Sequence, residues 1–109
     1  MAAVCLVFMT APDEATAVAL TRAVVDEQLA ACGNVMPTVR SIYRWQGEVN
    51  DDAEAMVIFK TTQAGVEALQ ARLVQLHPYD CPEVLVVNAD GGHEDYLAWV
   101  HSVVAAKKI

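Results

Sequence analysis

The sequence predicts an α+β protein of the split βαβ type, with a four-stranded antiparallel sheet and two helices on one of its faces. Three observations lead to this prediction: an apolar run before an amphipathic segment, two long strand patterns joined at Gln46-Gly47, and apolar residues at helical spacing before a last apolar run. The order is strand, helix, strand, strand, helix, strand, followed by an extra C-terminal helix. With 109 residues, the chain is expected to form a single domain spanning 1–109.

The first predicted strand is Val4 to Met9, which is wholly apolar, as expected of a central strand buried on both faces. Pro12, Asp13 and Glu14 then favour the start of a helix, because proline fixes φ and acidic groups stabilise the positive end of the helix dipole. We predict that this helix runs to Leu29.

Alternating residues from Val35 to Trp45 predict the second strand. Pro37 has no N–H to donate, so this strand is expected at an edge of the sheet or bulged at that point. A tight turn at Gln46-Gly47 leads into the third strand, which ends at Lys60 after an apolar stretch typical of the sheet interior.

Four apolar residues at helical spacing predict the second helix: Val66, Leu69, Leu73 and Leu76. The helix should end at His77, because a residue that precedes a proline avoids the α region. Val84 to Val87 predicts the fourth strand. A last helix follows, with Trp99 expected in the core and Lys107 and Lys108 at its negative end.

This arrangement leaves the second face of the sheet without helices, and an uncovered apolar face needs a partner. Alternation also places Tyr43 and Trp45 on one face of an edge hairpin, with Arg40 and Arg44 on the other. Since exposed aromatic area is costly in water, we expect a second copy of the chain to cover these surfaces.

Charge and hydropathy exclude two classes of partner. Fourteen acidic residues against seven basic ones give a formal charge of -7, which repels phosphate backbones and argues against nucleic acid. The longest apolar run, Met1 to Met9, is far shorter than the ~20 residues that cross a bilayer, so no membrane partner is expected. We see no secretory signal and expect a cytoplasmic protein with reduced cysteines.

No enzyme is predicted, because the sequence has no Ser-His-Asp pattern, glycine-rich phosphate loop or recognisable frame of paired carboxylates. The candidate metal ligand is Cys32, since a thiolate is a soft donor that favours copper(I). The alternative for Cys32 is a small packed residue at a junction between helix and strand.

The segment from His77 to Glu83 is stiffened by two prolines and carries an imidazole, a phenol, a thiol and acids. Such rigidity suits a binding site. The alternative is a stiff connection in which Tyr79 is packed and hydrogen-bonded. Lys60 has two interpretations as well: it faces an anion, or it extends its ammonium group into water.

Several segments, taken together, resemble the CutA family of divalent-cation tolerance proteins: Thr10-Ala11-Pro12-Asp13, Leu29 to Asn34, Ser41 to Gly47, Lys60-Thr61-Thr62, His77-Pro78-Tyr79, Pro82-Glu83 and Tyr96 to Trp99. The resemblance implies a ferredoxin-like subunit in a tight homotrimer, a role in the response to metal ions, and binding of copper or another divalent cation with Cys32 as ligand. The sequence departs from the family at Ala11, where a cysteine can occur, and at Asp80, where glutamate is more usual.

The family's trimer is also similar to that of the PII signalling proteins, which bind small effectors between subunits. This likeness implies a rival function, in which an intersubunit cleft binds an anionic or small organic molecule. The residues expected in that cleft are Tyr43, Trp45, Lys60, His77, Tyr79 and Glu83. A trimeric scaffold that holds protein partners is a third possibility.

Overall fold

The computed structural model of the chain describes residues 3–105, in which the strands and helices follow the predicted order. Their bounds are β1 Val4–Ala11, α1 Glu14–Asp26, β2 Cys32–Trp45, β3 Glu48–Thr62, α2 Val66–Leu76, β4 Val84–Asn88 and α3 Glu94–Val103. A short 3-10 turn, Gln63–Gly65, leads into α2. The predicted Lys107 and Lys108 lie outside the described residues. Within residues 3–105, none of the helices combines the length and apolar character that a membrane span requires.

The four strands form one antiparallel sheet in the order β2-β3-β1-β4. β1 is paired along both of its edges, as its apolar sequence predicted. β2 is an edge strand, and its register against β3 shifts between Met36 and Val39, around Pro37. The proline therefore has both of the predicted consequences, an edge position and an irregular ladder.

Both α1 and α2 pack on one face of the sheet, which confirms the predicted layers. The core between them consists of apolar side chains that are fully or almost fully buried: Val7, Met9, Leu20, Val24, Val57, Phe59, Leu69 and Leu73. Gly33 lets β2 approach α1 closely, since a Cβ atom at this position would lie only 2.7 Å from Thr21 Cγ2. Each large side chain in this core contributes about 1.5–3 kcal/mol of transfer free energy.

The junction between α1 and β2 differs from the prediction. α1 ends at Asp26 instead of Leu29, because Gln28 adopts a left-handed φ of 61° and the Leu29 amide turns back to the carbonyl of Val24. The Ala31 amide then donates to Lys60 O at 2.8 Å, so β2 begins at Cys32 and includes Gly33 and Asn34. Pairing with β3 therefore extends β2 through Gly33 and Asn34, two residue types that in the sequence alone indicate a loop.

The second face of the sheet carries apolar residues that neither α1 nor α2 covers. By alternation and register these are Leu6, Phe8, Met56, Ile58, Leu85 and Val87, here called the open face. Leu85 and Val87 are 59% and 48% exposed. α3 packs only at one end of the sheet, where Val100 and Val104 cluster with Val4 and Ala31. Trp99 is 43% exposed, so the prediction that it lies in the core is wrong.

The β2–β3 hairpin projects beyond the rest of the sheet. β1 pairs with β3 only from Ala55 onward, so residues 48–54 of β3 pair with β2 alone. Gln46 and Gly47 both have positive φ, 51° and 82°, as a two-residue turn of matching twist requires. Residues 39–54, here called the arm, give the chain its elongated shape of 44 × 26 × 24 Å.

Candidate functional site

A cavity of about 660 Å³ lies between the arm and the loop that follows α2. The arm contributes Tyr43, Trp45 and Glu54 to its walls, and the loop contributes Tyr79, Asp80 and Glu83. Four of the six residues predicted for a ligand cleft therefore line one cavity: Tyr43, Trp45, Tyr79 and Glu83. This cavity is formed within a single chain, whereas the predicted cleft lies between subunits.

The register of the arm decides which side chains reach the cavity. Ser41 pairs with Asp52 and Val39 pairs with Glu54, so these acids share a face of the arm with Tyr43 and Trp45. Arg40 belongs to the opposite face, where its guanidinium group donates two hydrogen bonds of 2.7 and 2.8 Å to Asp51. The cavity side of the arm thus carries aromatic and acidic groups, and the opposite side carries the ion pair of Arg40 and Asp51.

His77 is not among the cavity-lining residues, and its buried ring holds the start of the loop in place. Its ring is 7% exposed, and Nδ1 accepts a hydrogen bond from the Tyr79 amide at 3.1 Å. Because Nδ1 is the acceptor, the proton of the neutral ring sits on Nε2, which donates to Thr10 O at 2.7 Å. The ring also contacts that of Tyr79, with centroids 4.7 Å apart. His77 therefore ties α2 to the end of β1 and fixes the start of the loop.

Two tyrosines that line the cavity donate hydrogen bonds from their hydroxyl groups to nearby carboxylates. The Tyr79 hydroxyl donates to Glu54 Oε2 and the Tyr43 hydroxyl donates to Asp52 Oδ2, each at 2.7 Å. Burial, followed by the hydrogen bond to Glu54, raises the pKa of Tyr79. The hydrogen bond to Asp52, followed by burial, raises the pKa of Tyr43. Both phenols therefore stay protonated donors well above neutral pH.

Cys32 lies at the start of β2, far from the cavity walls. Its thiol is half-buried, and Sγ is 3.5 Å from the hydroxyl oxygen of Tyr96 on α3. The hydrogen bond with Cys32, followed by burial, raises the pKa of Tyr96 to about 12. A soft sulfur donor and a protonated phenol thus meet where α3 crosses the end of the sheet.

Lys60 is not brought to the cavity within one chain. It pairs with Cys32 on β2, and its ammonium group donates to Asn34 Oδ1. Lys60 lies six residue steps of extended strand away from Glu54, which amounts to about 20 Å. Its predicted place in a cleft between subunits remains a prediction.

The other two cysteines have different surroundings. Cys5 is buried, its Sγ donates to Asn88 Oδ1 at 3.1 Å, and burial raises the pKa of its thiol. Cys81 is exposed on the cavity wall. In the part of the chain from residue 3 to 105, no three side chains of histidine, cysteine, aspartate or glutamate converge on a position that could hold a metal ion. A site with three ligands of these residue types is therefore not formed within the described part of one chain.

The sequence and fold of this chain match those of known proteins. The family model of the CutA1 divalent ion tolerance proteins matches residues 5–103. The chain belongs to the CutA1 family. This result confirms the resemblance drawn from the sequence motifs.

Individual CutA1 relatives agree over most of the chain. The divalent-cation tolerance protein CutA of Thermus thermophilus is 42% identical over 95 residues, which cover 87% of this chain and 92% of that protein. Protein CutA of Mus musculus is 41% identical over 96 residues, and the match spans 88% of this chain but only 54% of the mouse protein's length. The crystal structure of CutA1 from Oryza sativa superposes with a TM-score of 0.94 at 33% identity and covers 97% of each chain. The ferredoxin-like α+β fold is thereby confirmed.

Sequence reasoning missed three residues of this CutA1 chain that shape its sites: Asp52, Glu54 and Tyr96. The first two could have been found, because the turn at Gln46-Gly47 fixes the register back to Val39 and so sets both acids on the aromatic face. No local signal pointed to Tyr96 as the neighbour of Cys32. That contact joins residues 64 positions apart and depends on where α3 docks.

Proposed function

We propose that this protein acts in tolerance of metal cations as a homotrimer that binds copper(I), or a related soft cation, through Cys32. Two facts support the role: membership of the CutA1 family of divalent ion tolerance proteins and a partly accessible soft donor in the Cys32 thiol. The thiol is the observation that carries the metal assignment. The three free cysteines of the chain also agree with a reducing compartment, and we place the protein in the cytoplasm.

The open face supports assembly. It presents six apolar side chains, of which Leu85 and Val87 are about half exposed, and apolar patches of this kind mark interaction surfaces. Three copies that bury their open faces against one another would remove this surface from water. The arm, which extends beyond its own sheet, offers a further surface for contact between copies.

The donor set explains why metal binding would need the assembly. Between residues 3 and 105, one subunit offers Cys32 as a soft donor near Tyr96, with no cluster of three ligands. A phenol oxygen is a harder donor than a thiolate, so the remaining soft donors for copper(I) would come from the Cys32 thiols of other copies. We therefore assign the protein a binding role and no catalysed reaction.

A copper(I) titration under reducing conditions tests this function. The wild-type protein is compared with Cys32→Ser and with Cys81→Ser, which removes an exposed thiol elsewhere. We expect Cys81→Ser to bind as the wild type does and Cys32→Ser to lose binding by at least about tenfold. Native mass spectrometry of the same samples should give a trimer. Equal affinity in Cys32→Ser would exclude the thiol, and a stable single subunit would exclude the assembly.

The cavity favours a second candidate function, which is binding of a small molecule in the manner of the PII signalling proteins. The observation behind it is that four residues predicted for a ligand cleft line one cavity of about 660 Å³. Small-molecule sites commonly occupy about 300–1,000 Å³. Under this function the bound molecule, and not the metal, would be the signal that the trimer senses.

A further inference from the structure

The walls of the cavity carry acidic groups and no basic ones. Glu54, Asp80 and Glu83 line it, and none of its lining residues is a lysine or an arginine. Both arginines of the arm lie on its opposite face, where Arg40 is paired with Asp51 and Arg44 donates to the carbonyl of Gly47. Within residues 3–105, no ion pair neutralises Asp80 or Glu83. The cavity therefore presents a net negative potential to any molecule that enters it.

Aromatic rings make up the apolar part of the walls. Trp45, Tyr43 and Tyr79 are each partly exposed where they line the cavity. The two phenol hydroxyls are already donating to Asp52 and Glu54, so they are not free to bind an anion. The face of an aromatic ring is electron-rich and attracts cations, most strongly for tryptophan.

We propose that this cavity binds a small organic cation, an ammonium or guanidinium group on a compact apolar or aromatic body. The cation would lie beside Asp80 and Glu83, and the apolar body would pack on Trp45 and the two tyrosines. The proposal rests on the second function above and narrows it, since the sequence alone favoured an anionic or small organic ligand. The cavity volume of about 660 Å³ suits a small organic molecule of this kind.

The raised pKa of Tyr43 is consistent with a negative potential at the cavity wall. Besides its hydrogen bond and its burial, the charges of Asp52 and Glu54 raise the pKa of this phenol. A negative field that opposes phenolate formation at the cavity wall also favours a cation beside it.

Three probes of similar shape and different charge test the proposal by calorimetry on the intact protein: 2-phenylethylammonium, 3-phenylpropionate and 3-phenylpropanamide. We expect the ammonium probe to bind about tenfold more tightly than the amide, and the carboxylate to bind least. Tighter binding of the carboxylate or the amide would overturn the cationic class and leave the ligand-binding function standing. Absence of binding by all three at millimolar concentration would overturn both.

Matched variants locate the site. Asp80→Asn combined with Glu83→Gln should weaken binding of the ammonium probe by about three- to tenfold, because both exposed loop carboxylates lose their charge. Asp26→Asn combined with Asp90→Asn makes the same change in net charge away from the cavity and should leave binding unchanged. Equal weakening in both pairs would mean that only the overall charge matters, and would overturn the assignment to this cavity.

A second pair tests the aromatic wall. Trp45→Leu keeps an apolar side chain but removes the ring, and we expect at least about threefold weaker binding of the ammonium probe. Trp99→Leu is the control, because Trp99 is exposed to a similar degree and lies outside the cavity lining. Unchanged binding in Trp45→Leu, or equal losses in the two variants, would contradict the proposed contact.

Discussion

The Tyr79 hydroxyl donates a hydrogen bond of 2.7 Å to Glu54 Oε2, which joins the loop after α2 to the arm across 25 residues of sequence. It is the closing contact of the cavity, because Tyr79 and Glu54 lie on its two opposing walls. His77 fixes the start of the loop through its hydrogen bond to Thr10 O. The shape of the cavity therefore depends on a small number of polar contacts at its rim and base.

The first prediction concerns that closing contact. Tyr79→Phe should lower the free energy of unfolding by about 0.5–1 kcal/mol, which is less than a buried hydrogen bond to a charged group contributes because both side chains are partly exposed. Glu54→Gln keeps an acceptor oxygen and should cost less. Urea unfolding at one fixed protein concentration measures both values. A larger loss in Glu54→Gln than in Tyr79→Phe would show that the contact is not what stabilises this region.

The second prediction concerns the buried imidazole. His77→Ala removes an acceptor for the Tyr79 amide and a donor to the Thr10 carbonyl, and it leaves a small void. We expect the free energy of unfolding to fall by about 2–3 kcal/mol. His93→Ala serves as the comparison, because His93 is exposed and its ring accepts a single hydrogen bond, from the Asp95 amide, at the start of α3. The same urea series measures both, and equal effects would argue against a structural role for His77.

The third prediction concerns the close approach of β2 and α1. In Gly33→Ala the new Cβ would meet Thr21 Cγ2 at 2.7 Å and Phe59 Cδ1 at 3.0 Å, so we expect a loss of about 1–3 kcal/mol from overpacking. Gly91→Ala has no atom within 4 Å of its Cβ and should be nearly neutral.

A second-site change identifies the cause of that loss. Thr21→Ser removes the clashing methyl group and keeps the hydroxyl that donates to Ala17 O. The double variant Gly33→Ala with Thr21→Ser should recover part of the lost stability, as measured by thermal unfolding. No recovery would indicate that Phe59 or the strand backbone, and not Thr21, limits the space.

The fourth prediction is a dependence on alkaline pH. The three tyrosines of the chain, Tyr43, Tyr79 and Tyr96, all have a raised pKa in the folded protein. A folded pKa above the unfolded value of about 10 means that the native state binds more protons at high pH, so stability falls as pH rises. For Tyr96 the contribution is complete below about pH 10 and is lost as the pH passes about 12.

Ultraviolet titration of phenolate formation checks this directly. In denaturant all three groups should ionise near pH 10, whereas in the native protein ionisation should be displaced upward. In Tyr96→Phe the stability should decline less steeply between about pH 10 and 12 than in the wild type. Native titration that overlays the denatured curve would contradict the proposed tyrosine contacts.

Much of the fold could be predicted because its signals are local. The period of α2, the apolar sequence of β1 and the turn at Gln46-Gly47 each specify an element without reference to the rest of the chain. Pro37 even indicated the edge position of its strand. The end of α1 could not be read in this way, since it depends on the left-handed Gln28 and on pairing of Ala31 with the distant Lys60.

The candidate sites were harder to predict than the fold. Tyr43, Trp45, Tyr79 and Glu83, which were predicted together because a rigid loop and an aromatic hairpin carried visible chemistry, line one cavity of the chain, whereas their role in a cleft between subunits stays a prediction. Lys60 was grouped with them although β3 places it near Cys32, at the other end of a long strand. Trp99 was expected in the core because a large aromatic on a helix usually is, but α3 meets the sheet through Val100 and Val104 instead.

Residues 48–54 of β3 have no third strand beside them, which bears on how a newly made chain avoids aggregation. A two-stranded ribbon leaves amide and carbonyl groups open along its outer margins, and such margins recruit other extended chains. Four carboxylates, Glu48, Asp51, Asp52 and Glu54, are distributed along this segment. Asp51 is paired with Arg40, but the charges of the other three would still discourage stacking of identical ribbons while the chain folds.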